Sequence, residues 1–344
     1  MNHVYMLLVF SFTTMASTNS IPMKNRRDFL KNAGALTLSG LILPQLAQAH
    51  QLFGLSAPRP VGIQLFTLFR QMNEDPKATL QQIAAAGYKE VESAFNTRGG
   101  YYGYNAKDFK ALVTDLGMKW RAHHAGGAPR RPRPTPPGSG TGTAGAGAPP
   151  QGATANPIPA NMPPMLNLRD NYQQLIDEAG EGGLSYLVCS STPVGTVAEI
   201  NQSIEVFQKT GEAAKKAGIG FAYHNHATEF DAVEGGKTPY ELILSQTDKD
   251  LVKMELDLAW ATKAGKDPVE LFKGQPGRFP LWHIKDIKSD MKTITEVGNG
   301  VVDFKRIFAA AKTAGLKYIF VEQDMAPGID SIQTSYQNLT KVMV

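Results

Sequence analysis

Four short segments in the C-terminal half hold the residues best suited to chemistry: Tyr223-His224-Asn225-His226, Glu255-Leu256-Asp257, Trp282-His283-Ile284-Lys285-Asp286 and Val321-Glu322-Gln323-Asp324. Each closes a short apolar run with imidazole, carboxylate or both. A single group of this kind is ordinarily satisfied by a structural hydrogen bond. Four brought to one place are different, because carboxylates repel one another in a low dielectric and a divalent cation offsets the repulsion. The pattern points to metal-assisted chemistry, provided that one end of the fold collects all four segments.

The rest of the chain supplies elements that would do so. Helical stretches close on Gly and an apolar strand follows at once, as at Ala86-Gly87 before 88–93 and Leu116-Gly117 before 118–123. The step recurs at Gly182-Gly183 before 184–189, Gly218 before 219–224 and Gly315 before 316–322. Glycine past a helix end supplies a left-handed cap, and the apolar runs read as buried parallel strands. Segments 61–66, 251–258 and 280–285 complete eight strands. Helices are expected over 76–86, 106–116, 169–179, 196–217, 239–245, 268–273 and 303–314, with Thr196 and Glu199 placed as a capping box. Eight alternating βα units imply an α/β fold, a single-domain (β/α)8 TIM barrel, with a doubly wound open sheet as the alternative. In such a barrel the C-terminal strand ends converge on one mouth, where the four segments would meet.

With 344 residues and 42% apolar content the chain can bury a full core, and a net charge of +4 leaves no footprint for nucleic acid. Arg26-Arg27-Asp28-Phe29-Leu30-Lys31 resembles a twin-arginine export signal, followed by an apolar run from Ala33 to Leu46 and a small-residue cleavage site at Ala47-Gln48-Ala49. Residues 1–49 thus read as the signal region, with Met23 a candidate true start, and 50–344 as a periplasmic catalytic domain. The apolar run is shorter than the ~20 residues needed to span a bilayer, so no membrane anchor is expected. The lone Cys189 excludes an internal disulfide and reads as a buried strand residue. From 126 to 164 the chain is Pro, Gly, Ala, Thr and Ser with almost no large apolar residue, a composition read as a disordered insertion after the third strand.

The strand ends His224-Asn225-His226, Asp257, His283-Ile284-Lys285-Asp286 and Glu322, with Gly298-Asn299-Gly300-Val301-Val302-Asp303-Phe304 behind them, resemble the xylose isomerase-like TIM-barrel superfamily and its sugar phosphate isomerase/epimerase branch. The resemblance implies one divalent ion held by Asp257, His283 and Glu322. The fourth position, usually Glu, is here His224, with His226 and Glu229 as alternatives. Two His and two carboxylates suit Mn, Zn, Co or Fe better than Mg.

In that family two metal-bound Glu residues move a proton beside a carbonyl. With His at the first position, Glu322 remains as carboxylate base and His224 or His226 takes the second role, or a single base serves an elimination or hydration. Lys285 follows His283 by two residues, so it faces the same side and either steadies an oxyanion or pairs with Asp286 or Glu322. Gln64, Glu92, His123 and Glu229 are the candidate substrate contacts, with His124 in place of His123 if the strand phase is shifted. Tyr101, Tyr102 and Tyr104 form either a stacking surface or a packed loop. No Arg cluster or amide cradle marks a phosphate site, so the expected substrate is a non-phosphorylated keto-sugar or glycoside. The expected activity is isomerase or epimerase, with lyase or hydratase action on a keto-glycoside as alternative. An apurinic-site-endonuclease-type hydrolase and a non-catalytic sugar-binding protein are the competing classes. The sequence carries no sign of oligomeric state.

Overall fold

The computed structural model of the chain describes residues 59–129 and 165–343. The twin-arginine segment and positions 130–164 of the Pro/Gly-rich stretch lie outside the described residues.

Eight parallel strands close into a barrel, in the order β1-β10-β7-β6-β5-β4-β3-β2. They are β1 (Gly62–Gln64), β2 (Glu90–Ser93), β3 (Lys119–Gly126), β4 (Tyr186–Ser191), β5 (Gly220–His224), β6 (Val252–Asp257), β7 (Leu281–Ile284) and β10 (Tyr318–Val321). Between β7 and β10 lies an antiparallel hairpin of β8 (Asp286–Ile287) and β9 (Ile294–Thr295). The helices are α1 (Phe69–Glu74), α2 (Pro76–Ala85), α3 (Ala106–Asp115), α4 (Leu168–Gly182), α5 (Val197–Lys216), α6 (Pro239–Gln246), α7 (Leu258–Lys263), α8 (Pro268–Gly274), α9 (Phe304–Ala309), α10 (Ala311–Ala314) and α11 (Ile329–Val342).

Local chemistry sets the element ends. Gly87, Gly117, Gly183, Gly218 and Gly315 all take positive φ, so the glycine punctuation marks left-handed turns between helix and strand. Asn105, Asn167, Thr196 and Asp267 cap their helices by accepting a backbone N–H. At Thr196 only half of the expected capping box forms, because the Glu199 carboxylate accepts from Gly195 N at 3.0 Å; the reciprocal box is found at Thr238 and Glu241. The helix expected over 303–314 breaks at Ala310 into α9 and α10. Gly126 belongs to β3 and Gly127 N donates to Ser191 O at 2.7 Å, so the ordered fold extends past the expected start of the insertion. Among the described residues no helix is long and apolar enough to cross a membrane.

The barrel is filled from below. Ala122, Tyr186, Val188, Ala222, Leu281 and Phe320 make an apolar plug inside it, while the larger core lies between strands and helices. Gly62 is part of the plug: a Cβ there would sit 2.6 Å from the Ile319 carbonyl oxygen and 2.6 Å from the Phe320 ring. Neither can yield without moving a strand. Gly62→Val is expected to cost about 1–3 kcal/mol or more through overpacking, read as a lowered thermal midpoint. An unchanged midpoint would mean that the strands adjust freely there.

Candidate functional site

Above the plug the inward positions turn polar, because residues two apart on a strand share a face. They are Gln64 on β1, Glu92 on β2, His124 on β3, His224 on β5, Glu255 and Asp257 on β6, His283 on β7 followed by Lys285, and Glu322 just past β10. All except His124 are buried. Asp257 also caps α7, its Oδ1 accepting from Trp260 N at 2.9 Å, which fixes the carboxylate at the strand–helix junction.

Two overlapping groups have the geometry of a cation shell: His224, Asp257, His283 and Glu322, and deeper in the barrel His124, His224, Glu255 and His283. Within each, one potential ligand atom per residue lies within 4.8 Å of the others. The ring nitrogens of the two shared histidines distinguish the groups. Glu255 Oε2 lies 3.1 Å from His224 Nδ1, 2.7 Å from His124 Nε2 and 3.2 Å from His283 Nε2, while Glu92 Oε2 lies 2.6 Å from His283 Nε2. One nitrogen of each shared ring is therefore engaged on the deep side. The upper side keeps His224 Nε2 and His283 Nδ1, the latter 2.7 Å from Glu322 Oε2 and 4.0 Å from Asp257 Oδ2. Buried Asp257 Oδ2 accepts no hydrogen bond, and its nearest cation, Lys285 Nζ at 3.1 Å, lies outside hydrogen-bond geometry. These residues fit a divalent ion at the upper set, with Glu255 and Glu92 holding the rings from behind as carboxylates do behind metal-bound histidines.

The charges follow from this packing. Burial raises Asp257, opposed by Lys285, and its carboxyl ends above the usual range. Burial also raises Glu92, helped by neighbouring Glu255, to about 7. Glu322 and Glu255 are pushed up by burial too, but Lys285 and His283 in the first case, and His283 and His124 in the second, outweigh it and leave both well below the ordinary value. Burial and the neighbouring His283 hold His224 well below the ordinary histidine range, so it is neutral and able to ligate. Lys285 is lowered by burial, yet Asp257, Asp324 and Glu322 more than reverse this and keep it charged.

The structure brings His224, Asp257, His283, Glu322 and Lys285 together and places the other candidates differently. Lys285 Nζ contacts Glu322 Oε2 at 2.8 Å, Asp324 Oδ1 at 3.1 Å and the face of Trp260 at 4.9 Å. The alternative partner Asp286 is occupied elsewhere: its carboxylate accepts from Ile287 N, Gly298 N and Gly300 N, each at 2.9 Å, and from Val302 N at 3.1 Å. The glycine-rich stretch behind the His-Ile-Lys-Asp step is thus a clasp on Asp286, and a Cβ at Gly300 would collide with that carboxylate. Gln64 and Glu92 bond each other at 2.8 Å and are fully buried behind His283, away from the open mouth.

Glu229 orients His226, accepting from its backbone N at 2.9 Å and from Tyr223 Oη at 3.1 Å, with the His226 ring 3.6 Å away. The His226 side chain is 45% exposed at the mouth, outside both candidate shells. His123 turns toward the helices, with Nδ1 2.9 Å from Ser93 Oγ and its ring against Tyr101, and burial lowers it to about 3. His124 is the inward residue of that pair. Tyr101 and Tyr102 are buried and form a packed loop, and Cys189 is a buried free thiol.

Glu255 is the group that carried no role in the sequence reading, although it precedes Asp257 by two and so shares its face; strand parity was the signal for it.

Among curated proteins the chain is 25% identical over 167 residues to an inosose dehydratase of Lacticaseibacillus casei, covering 43% of this chain and 54% of the relative, so it matches about half the length of that protein. Among solved structures it is similar to a sugar phosphate isomerase/epimerase from Parabacteroides distasonis ATCC 8503, with TM-score 0.64 and 28% identity, covering 83% of this chain and 94% of that one. An IOLI protein solved with a bound zinc atom shares the fold at TM-score 0.57 and 17% identity, covering 83% and 98%. The model of the xylose isomerase-like TIM barrel family matches residues 80–341, which take in the barrel strands from β2 onward and the upper set of candidate ligands but not β1. On that match the chain belongs to the xylose isomerase-like TIM barrel family.

Proposed function

We propose that the protein is a divalent-metal-dependent enzyme that moves a proton on the carbon beside a carbonyl of a neutral sugar, as an isomerase or epimerase or, with one base, as a lyase or hydratase. The observation that carries this reading is the buried set of His224, Asp257, His283 and Glu322 at the barrel mouth, with Lys285 against both carboxylates. Two imidazoles and two carboxylates suit Mn, Zn, Co or Fe better than Mg. When bound there, such an ion supplies Lewis acidity to a carbonyl and its neighbouring hydroxyl.

The chain's own residues provide the rest. Glu322, held ionised, has Oε2 taken by His283 and Lys285, which leaves Oε1 to receive a proton. Lys285 stays charged and places a donor where negative charge develops on the substrate oxygen. His224 is buried and neutral, so the second proton-transfer role falls to His226, whose ring is exposed at the mouth and steadied by Glu229. Elimination draws support from the curated relatives named as dehydratases. Purified protein supplied with Mn, screened against keto-sugars and keto-glycosides, tests the reading; turnover of a sugar phosphate in preference to neutral sugars would overturn its substrate class.

Export by the twin-arginine route belongs to the same reading and rests on Arg26-Arg27 and the small-residue cleavage site. Protein beginning near His50 is expected in the periplasm, and Arg26→Lys with Arg27→Lys should retain it in the cytoplasm. Fractionation that finds the double variant exported as before would remove this part.

A further inference from the structure

A cavity of about 650 Å³ opens beside the candidate ligand cluster, between the ends of β2, β3 and β4 and the middle of α4. His124 belongs to both: it lines the cavity while its Nε2 lies 2.7 Å from Glu255 Oε2, so the cavity adjoins the candidate ligand cluster. Its volume falls within the ~300–1,000 Å³ range of sites for drug-sized ligands, more room than one sugar ring requires.

The walls define what it would take. Phe95, Tyr101, Leu166 and Leu175 give it a largely apolar lining with two aromatic rings. Its polar groups are engaged with one another: Tyr101 Oη donates to Glu178 Oε2 at 3.0 Å, Gln174 Nε2 to Glu178 Oε1 at 2.9 Å, and Asn96 Nδ2 to Gly100 O at 2.9 Å. Asn167 is used as the cap of α4. A ligand entering there finds few unpaired partners, so polar groups would lose hydration without compensation, whereas apolar surface gains from burial. No Lys or Arg lines the cavity among the described residues, and the Glu178 carboxylate disfavours an anion.

We propose that this cavity seats an uncharged aromatic substituent joined to the sugar, making the substrate an aryl glycoside or similar conjugate. The proposal rests on the neutral-sugar reading above and adds the second half of the substrate. Saturation-transfer NMR and titration with three probes separate the two: methyl β-D-glucopyranoside reports on the sugar position, 2-naphthol on the cavity, and phenyl β-D-glucopyranoside on both. The phenyl glucoside should bind about tenfold more tightly than the methyl glucoside, and naphthol should bind by itself. Gln174→Trp, at an exposed position on α4 lining the cavity, should fill it without disturbing the core; Ala128→Trp, at a lining position just past β3, is the second variant. Both should abolish the phenyl advantage and naphthol binding while leaving the methyl glucoside unaffected. Equal affinity for phenyl and methyl glucosides, or naphthol binding unchanged in both variants, would overturn the proposal. Variant-sensitive naphthol binding with no methyl glucoside binding would keep the cavity as an aromatic seat and remove the sugar reading instead.

Discussion

Asp257→Ala and Glu322→Ala should each strip the protein of the proposed divalent metal. Elemental analysis is expected to find about one divalent transition ion per wild-type chain and close to none in either variant. Each change removes a negative ligand that the imidazoles cannot replace, and it leaves the charged Lys285 against the one remaining carboxylate of the set. The loss should exceed the ~10–100-fold in affinity that changes behind the ligands cost. Glu255→Gln provides that comparison, since it keeps the shape while weakening the hold on His124, His224 and His283. His224→Ala separates the candidates for the fourth ligand: loss of metal assigns it to His224, and retained metal assigns it elsewhere. Full metal content in both Asp257→Ala and Glu322→Ala would refute the upper ligand set.

Glu322→Gln should lower kcat by ~10²–10⁴, the contribution of a positioned general base. The amide keeps an oxygen donor and much of the volume, so residual metal can be restored at high concentration and the chemical step examined by itself. In wild type, turnover in deuterated water should place deuterium on the carbon beside the carbonyl, in product for a two-base epimerisation and in recovered substrate for a single base that exchanges with water. An elimination would add an unsaturated product or a departed substituent on the neighbouring carbon. Substrate deuterated at that carbon decides the matter. A slowed single turnover supports proton abstraction; an unchanged rate with the label still in place would exclude it and leave a hydride shift or hydrolysis.

The barrel was legible because its punctuation is chemical: glycine at five helix ends takes the left-handed conformation, and each short apolar run between them has room for one strand. The side chains of the upper candidate set were legible from the same strand pattern, as polar residues at the C-terminal ends of their strands. The deeper layer was harder to read. Trp120 packs outward among Tyr101 and Phe109, and regular alternation from it would bring Arg121 and His123 inward. A bulge intervenes, since Val91 pairs with Trp120 but Glu92 with Ala122, and both Arg121 and Ala122 end inside the barrel. The phase flips, and His124 rather than His123 meets Glu255. The short helix α7 begins directly at the end of β6, with Asp257 serving as both ligand candidate and cap, and α1 is separated from β1 only by the 3-10 turn Leu65–Leu68, so no gap in the pattern announces either. The helix α11 was missed despite its amphipathic spacing, because its first residue follows Gly328 with no side-chain cap to mark the start.

The four amide donors gathered on Asp286 should leave the two halves of the barrel rim with different tolerance to substitution. On the β7–β10 side, one carboxylate adjacent to Lys285 organises a loop in which a side chain at Gly300 would collide with Asp286, so substitutions there are expected to displace the lysine. On the β2–β4 side the cavity lining shares only His124 with the candidate ligand groups among the described residues, and the Pro/Gly-rich sequence lies there in the chain, between β3 and α4. New specificities can be sampled on that half while the reacting centre stays in register, so divergence among proteins built on this barrel should concentrate around the cavity and leave the clasp intact.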